Sequence, residues 1–144
     1  MPLLDKLLVL AMALQVLLTI AVLILMGRER VPRVMRGEIP VADIAVDRSA
    51  YPLKARLLSN NFDNQFQLPV LFYVGALVAL TTNLVDILLL GLAMIFVVLR
   101  YVHAIIHVTT NQVHRRFAAY SAGLAVLAVF WLWLVLRILL MPGI

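Results

Sequence analysis

The chain has 144 residues, of which 65% are hydrophobic, and a mean hydropathy of +1.06. A soluble domain is nearer half apolar, so one small core cannot hide the excess and lipid is the expected solvent. The net charge of +5 comes from bases that cluster beside apolar runs, with no basic stripe interleaved with aromatics. That pattern points to membrane orientation and away from a nucleic-acid partner, and the absence of cysteine excludes disulfides, thiolate metal sites and a cysteine nucleophile.

The first apolar run, Leu7 to Met26, is interrupted only by Gln15 and Thr19. At about 20 residues it can span a bilayer. It lacks the basic start and small-residue cleavage site of a signal peptide, so it reads as a retained helix. A polar loop is expected over 27–55, where Arg28, Arg30, Arg33, Arg36, Arg48 and Lys54 face Glu29, Glu38, Asp43 and Asp47. Pro32, Pro40 and Pro52 are predicted to break any long helix there. The next apolar run, Leu68 to Leu80, covers only roughly 20 Å as a helix, against a hydrocarbon core of about 30 Å. Helix 2 is therefore predicted to start about two turns earlier, over 57–80, with Pro69 inside it as a candidate kink. Thr81 to Asp86 forms a tight turn without a base. Helix 3 is predicted over 84–108. A short basic loop with Asn111, His114, Arg115 and Arg116 follows, then helix 4 over 117–141, with Arg137 near its end placed to snorkel. The fold class is all-α integral membrane, a single four-transmembrane-helix bundle over 1–144 in up-down-up-down order. The positive-inside rule puts both basic loops in the cytoplasm and both termini outside.

Polar side chains at membrane depth should face other helices or a wet cavity, because facing lipid is costly. Asn60, Asn64 and Gln67 are at i, i+4 and i+7, one face of helix 2. Arg100, His103 and His107 are at i, i+3 and i+7, one face of helix 3. Arg116 and Tyr120 share the start of helix 4. The topology places all three faces at one depth, because helix 2 starts, helix 3 ends and helix 4 starts at the basic end. His103 lies roughly 8 Å below that interface. One polar pocket, open to the cytoplasm, is predicted, with the opposite half almost wholly apolar. The alternative is that these groups only bond to one another and fix helix packing. His103 and His107 also have metal-ligand spacing, but the glutamate of the metalloprotease motif is missing and no metal site is expected. Asp63 is read as a helix cap or a partner for Arg56. Tyr73, Trp131 and Trp133 are read as packing or interface anchors. Ala118, Ala119, Ala122, Gly123 and Ala125 are spaced for close helix approach, which makes assembly through helix 4 plausible.

The stretch Asn60-Asn-Phe-Asp-Asn-Gln-Phe-Gln-Leu-Pro-Val-Leu-Phe72, then Arg100-Tyr-Val-His103 with His107, then Arg116-x-x-x-Tyr120, resembles the membrane-associated proteins in eicosanoid and glutathione metabolism (MAPEG). The resemblance covers helices 2 to 4 and extends to length, helix order and the long basic first loop. It implies a homotrimer of four-helix subunits in the lipid bilayer, with glutathione between neighbouring subunits near the cytoplasmic face. By this resemblance Asn64, Gln67, His103 and His107 contact glutathione, and Arg116 and Tyr120 are the catalytic residues. Arg28, with Arg30 as the alternative, stands for the basic residue closing helix 1. Four positions depart from the prostaglandin E synthase pattern within that family: Asp63 stands for an arginine, Phe117 for a serine, Gln67 for a glutamate and His107 for a tyrosine. Two functions are therefore expected. One is a glutathione-dependent transferase or peroxidase acting on a lipophilic small-molecule substrate. The other is a non-catalytic lipid-binding or scaffold protein of the same fold.

Overall fold

In a computed structural model, residues 1–45 and 47–140 are described. They form five α-helices: α1 Leu3–Met35, α2 Leu53–Asn64, α3 Leu68–Thr81, α4 Ile87–Val108 and α5 Val113–Leu139. With α2 and α3 taken as one span, four are long and apolar enough to cross a membrane. The predicted end of helix 4 at Met141 lies outside the described residues.

The α1 stripe Leu8, Ala11, Gln15, Leu18 and Val22 is buried, at the spacing a helix needs to keep one face inward. Val9, Leu10, Val16, Leu17 and Ile20 on the other side are exposed, as lipid-facing residues should be. The centre is aromatic: the Phe72 ring lies 5.1 Å from Phe96 and 6.1 Å from Phe130, centroid to centroid. Those rings join α3, α4 and α5, within the range where tilted aromatic pairs attract beyond their buried area. Lys54 at the start of α2 pairs with Glu29 near the end of α1, and Trp133 late in α5 donates to Asp86 before α4. Successive spans therefore run antiparallel.

The first difference from expectation is α1. It continues to Met35, two turns past the apolar run, with Pro32 inside it. Pro32 forfeits its own N–H bond but does not end the helix, because other contacts hold the extension. Glu29 pairs with Lys54 and Arg33, and the Arg30 guanidinium sits 4.5 Å from the Tyr51 ring centroid. Ile39, Tyr51 and Ala55 bury one another against Val34 and Ile44. Pro40 and Pro52 lie between the long helices, each at the start of an element: one precedes a short 3-10 turn, Val41–Ile44, and the other is the N-cap of α2.

The second difference is helix 2, which is two helices. Pro69 has no N–H for the Gln65 carbonyl, and its ring would collide with that carbonyl in a continuous helix. The chain breaks at 65–67 and restarts, with Pro69 in the first turn of α3, where a donor is not needed. Helix 3 starts later than expected, at Ile87, because Asp86 caps it by accepting the Leu89 N–H at 2.8 Å. The third difference is Arg137. It does not simply snorkel: it pairs with Asp86, which also accepts from Trp133 Nε1 at 2.9 Å. The end opposite the basic loops is thus less apolar than predicted.

Gly75 marks the closest approach of α3 and α5. A Cβ there would lie 2.7 Å from Phe130 Cε1 and 3.1 Å from Trp131 Cε2. Gly75→Ala is expected to lower stability by about 1–3 kcal/mol through overpacking. Thermal unfolding in detergent measures it, and an unchanged midpoint would contradict this packing.

Candidate functional site

The polar faces of three helices meet at the basic end. Asn60 and Asn64 from α2, His103 and His107 from α4, and Arg116, Phe117 and Tyr120 from α5 line one open cavity of about 270 Å³, with Val113 at its edge. The His103 ring stands 5.7 Å from both the His107 and the Tyr120 rings. The Arg100 guanidinium lies behind them, 6.0 Å from the Tyr120 ring centroid. Arg116 Nη1 donates to Asn111 Oδ1 at 2.8 Å. Asn111 itself has φ 46°, a left-handed conformation that Asn tolerates, and this turn aims its amide back at α5.

The break after α2 shapes the site. The last turn of α2 tightens: Gln65 N–H donates to Phe62 O and Phe66 N–H to Asp63 O. Such ends leave carbonyls without helical donors. Arg100 Nη2 donates to one of them, Asn64 O, at 3.0 Å. Arg100 is 1% exposed, and its Nε and Nη1 have no partner within the chain. His103 Nδ1 and both ring nitrogens of His107 are likewise buried and unpartnered. A fully buried guanidinium ordinarily has a carboxylate beside it. Among the described residues Arg100 has none within salt-bridge distance. The Arg116 guanidinium on the wall and the buried charge of Arg100 nearby make the cavity favourable to an anion.

Most of the sequence-predicted set is brought together: Asn64, His103, His107, Arg116 and Tyr120 all line the cavity. Gln67 lies past the helix break and touches the site through Tyr120, whose hydroxyl donates to Gln67 Oε1 at 3.5 Å. Arg28 is elsewhere within the single chain. It borders a separate hollow with Leu25, Glu29, Lys54, Leu58 and Val108. The reading of Asp63 is corrected, since it pairs with Arg48 rather than Arg56 and does not cap a helix. Arg48 lies in the loop before α2, and the Asp63 carboxylate holds its guanidinium above the ordinary range.

The sequence reading missed a second polar layer beneath the cavity. Gln15 Nε2 donates to Gln65 Oε1 at 3.0 Å, Gln65 Nε2 to Asn61 Oδ1 at 3.1 Å, and Asn61 Nδ2 to Ala104 O at 3.2 Å. All three amides are buried. A lone glutamine in the middle of an apolar run needs a partner, and the i, i+4 pair Asn61 and Gln65 was the available one. Tyr101 adds a fourth link, donating to Leu14 O at 2.8 Å.

A family model described as the MAPEG family matches residues 8–143, nearly the whole chain. The chain belongs to the MAPEG family. Neither the comparison with curated proteins nor that with solved structures finds a match. Its four candidate spans and its MAPEG membership make it an integral membrane protein. In this MAPEG chain Phe117, 70% exposed in the single chain, adds an apolar face to the cavity wall.

Asn111→Gly keeps the left-handed turn but removes the amide that tethers Arg116. The expected result is an unchanged melting temperature with greater mobility of the Arg116 Nε–H group, measured by nitrogen-15 relaxation in detergent. Unchanged Arg116 dynamics would show that Asn111 does not position it.

Proposed function

We propose that this MAPEG chain is a glutathione-dependent transferase or peroxidase acting on lipophilic electrophiles that arrive from the bilayer. The observation that carries the reading is the gathering of Arg116, Tyr120, His103 and Asn64 around one cavity with unpartnered donors behind it. The residues fit the carboxylates and peptide groups of a bound glutathione: the wall offers the Arg116 cation and hydrogen-bonding groups, and no fixed negative charge.

Glutathione, when bound, supplies the thiol that attacks an electrophilic carbon or a hydroperoxide. Arg116 holds the sulfur as thiolate, since a nearby cation lowers a thiol pKa from about 8.5. Tyr120 donates its hydroxyl proton toward the same sulfur and fixes its direction. Asn64, His103 and His107 bond the peptide groups and carboxylates, with Gln67 at the margin. Phe117 keeps water from that side, which strengthens the electrostatic contacts inside. The basic loops face the cytoplasm, where the thiol is supplied, and both termini lie outside. A homotrimer is part of this reading, as the family resemblance implies, and Arg28, which does not line the cavity of its own chain, would come from a neighbouring subunit.

A second reading, non-catalytic lipid binding, is favoured by one observation. Leu23, Val31, Val34, Ile44 and Tyr51 line an almost purely apolar hollow of about 430 Å³ beside Arg30, on the extension of α1.

One experiment separates the two. The protein in mild detergent is titrated with glutathione by calorimetry and assayed with a chromogenic electrophile. The enzyme reading expects binding at millimolar glutathione and turnover that falls about 10²-fold in Arg116→Ala, the scale of losing one charge-stabilising donor. No binding and no turnover, with lipid retained in native mass spectrometry, would overturn it in favour of the lipid-binding reading.

A further inference from the structure

The cavity has an unbalanced charge inventory. One guanidinium, Arg116, lines its wall with His103 and His107, and a second, Arg100, is buried 6.0 Å from the Tyr120 ring centroid. No carboxylate lines it. Glutathione carries two carboxylates but also an α-ammonium group, and that ammonium needs an acceptor of negative charge to be held in a desolvated place.

The whole chain has little to offer it. There are seven carboxylates. Glu29 pairs with Lys54 and Arg33, and Glu38 with Arg33 and Arg36. Asp63 is held by Arg48, and Asp86 by Arg137 at the far end of the bundle. Asp47 accepts from the Ser49 hydroxyl and backbone N–H. Asp5 is in the first turn of α1, at the end opposite the cavity. Asp43 and Asp47 are exposed and without an ionic partner among the described residues. A neighbouring copy brings the same seven side-chain groups. Among the described residues, assembly therefore supplies no fresh counter-charge except Asp43 and Asp47, both outside the helices that line the cavity, unless an existing ion pair breaks. Beside Tyr120, Gln67 offers a neutral amide.

Resting on the thiol-site reading above, we propose that this cavity selects an anionic thiol whose amino group is acylated or absent, over one with a free ammonium group. A carboxylate of such a ligand meets the Arg116 guanidinium, in the field of the buried Arg100, while its neutral amide meets Gln67, as donor to the Oε1 or acceptor from the Nε2. A free ammonium in the same place is repelled by two cations and finds no anion. Selectivity of this kind comes from the repulsive element as much as from the attractive one.

The test compares glutathione with N-acetylglutathione by calorimetry on the purified full-length protein, in its native assembly in detergent, at pH 7. N-acetylglutathione is expected to bind at least about tenfold more tightly, since one like-charge contact at several ångströms is worth that much or more in a partly desolvated site. Gln67→Glu, at the exposed N-cap of α3, is expected to reverse the order. Equal affinities, or tighter binding of glutathione by the wild type, would overturn this inference and leave the thiol site standing. Binding of neither compound at millimolar concentration would overturn both. The wild-type comparison decides the matter even if the variant fails to fold.

Discussion

The contact between the Arg100 guanidinium and the Asn64 carbonyl governs the basic end of this bundle. A span that breaks inside a membrane protein must have its freed backbone groups taken up by the protein, because lipid offers them nothing. Pro69 forces the break, and the last turn of α2 is then left with carbonyls to satisfy. Arg100 reaches across from α4 to do this. A cation also suits the negative end of the α2 dipole. The same guanidinium is then too deep to reach water, and its Nε and Nη1 stay buried without a partner within the chain. One residue thus closes a helix end and leaves positive charge behind the site.

The amide chain Gln15–Gln65–Asn61 acts just beneath, tying α1, α2 and α4 together. Interhelical hydrogen bonds in membranes contribute roughly 0.6 kcal/mol each on average, with larger values for the best. Their role here is placement more than strength. Gln65 faces α1 only because the chain bends after it, and that orientation turns Asn60 and Asn64 toward α4 and α5. Structure and chemistry share one cause: the polar residues that make a broken span tolerable are the neighbours of those that line the cavity.

Much of this was legible in the sequence. Composition alone implied lipid, and the i, i+3, i+4 spacing of Arg100, His103, His107, Asn60 and Asn64 correctly implied one polar meeting place. Tyr120 and Arg116 followed from their position at the start of the last span. What was not legible depended on partners far along the chain. Pro32 looked like a terminator because Tyr51 and Lys54, which hold the helix past it, act from beyond the following loop. Arg137 looked free because its partner Asp86 is about 50 residues earlier and was read only as part of a turn. Asn61 and Gln65 were overshadowed by their polar neighbours on the next face. Arg28 lies on another surface of the single chain, and no periodicity within α1 could have shown that.

Hydrogen–deuterium exchange on Arg100→Met in detergent tests the central claim most directly. The side chain is replaced by an apolar one of similar reach, and the rest of the core is untouched. The account predicts faster exchange confined to the end of α2 and the break, residues 61–68, with α1 and the far end of α5 as slow as in the wild type. Exchange across 61–68 that matches the wild type would contradict it, since the break would then hold without the guanidinium.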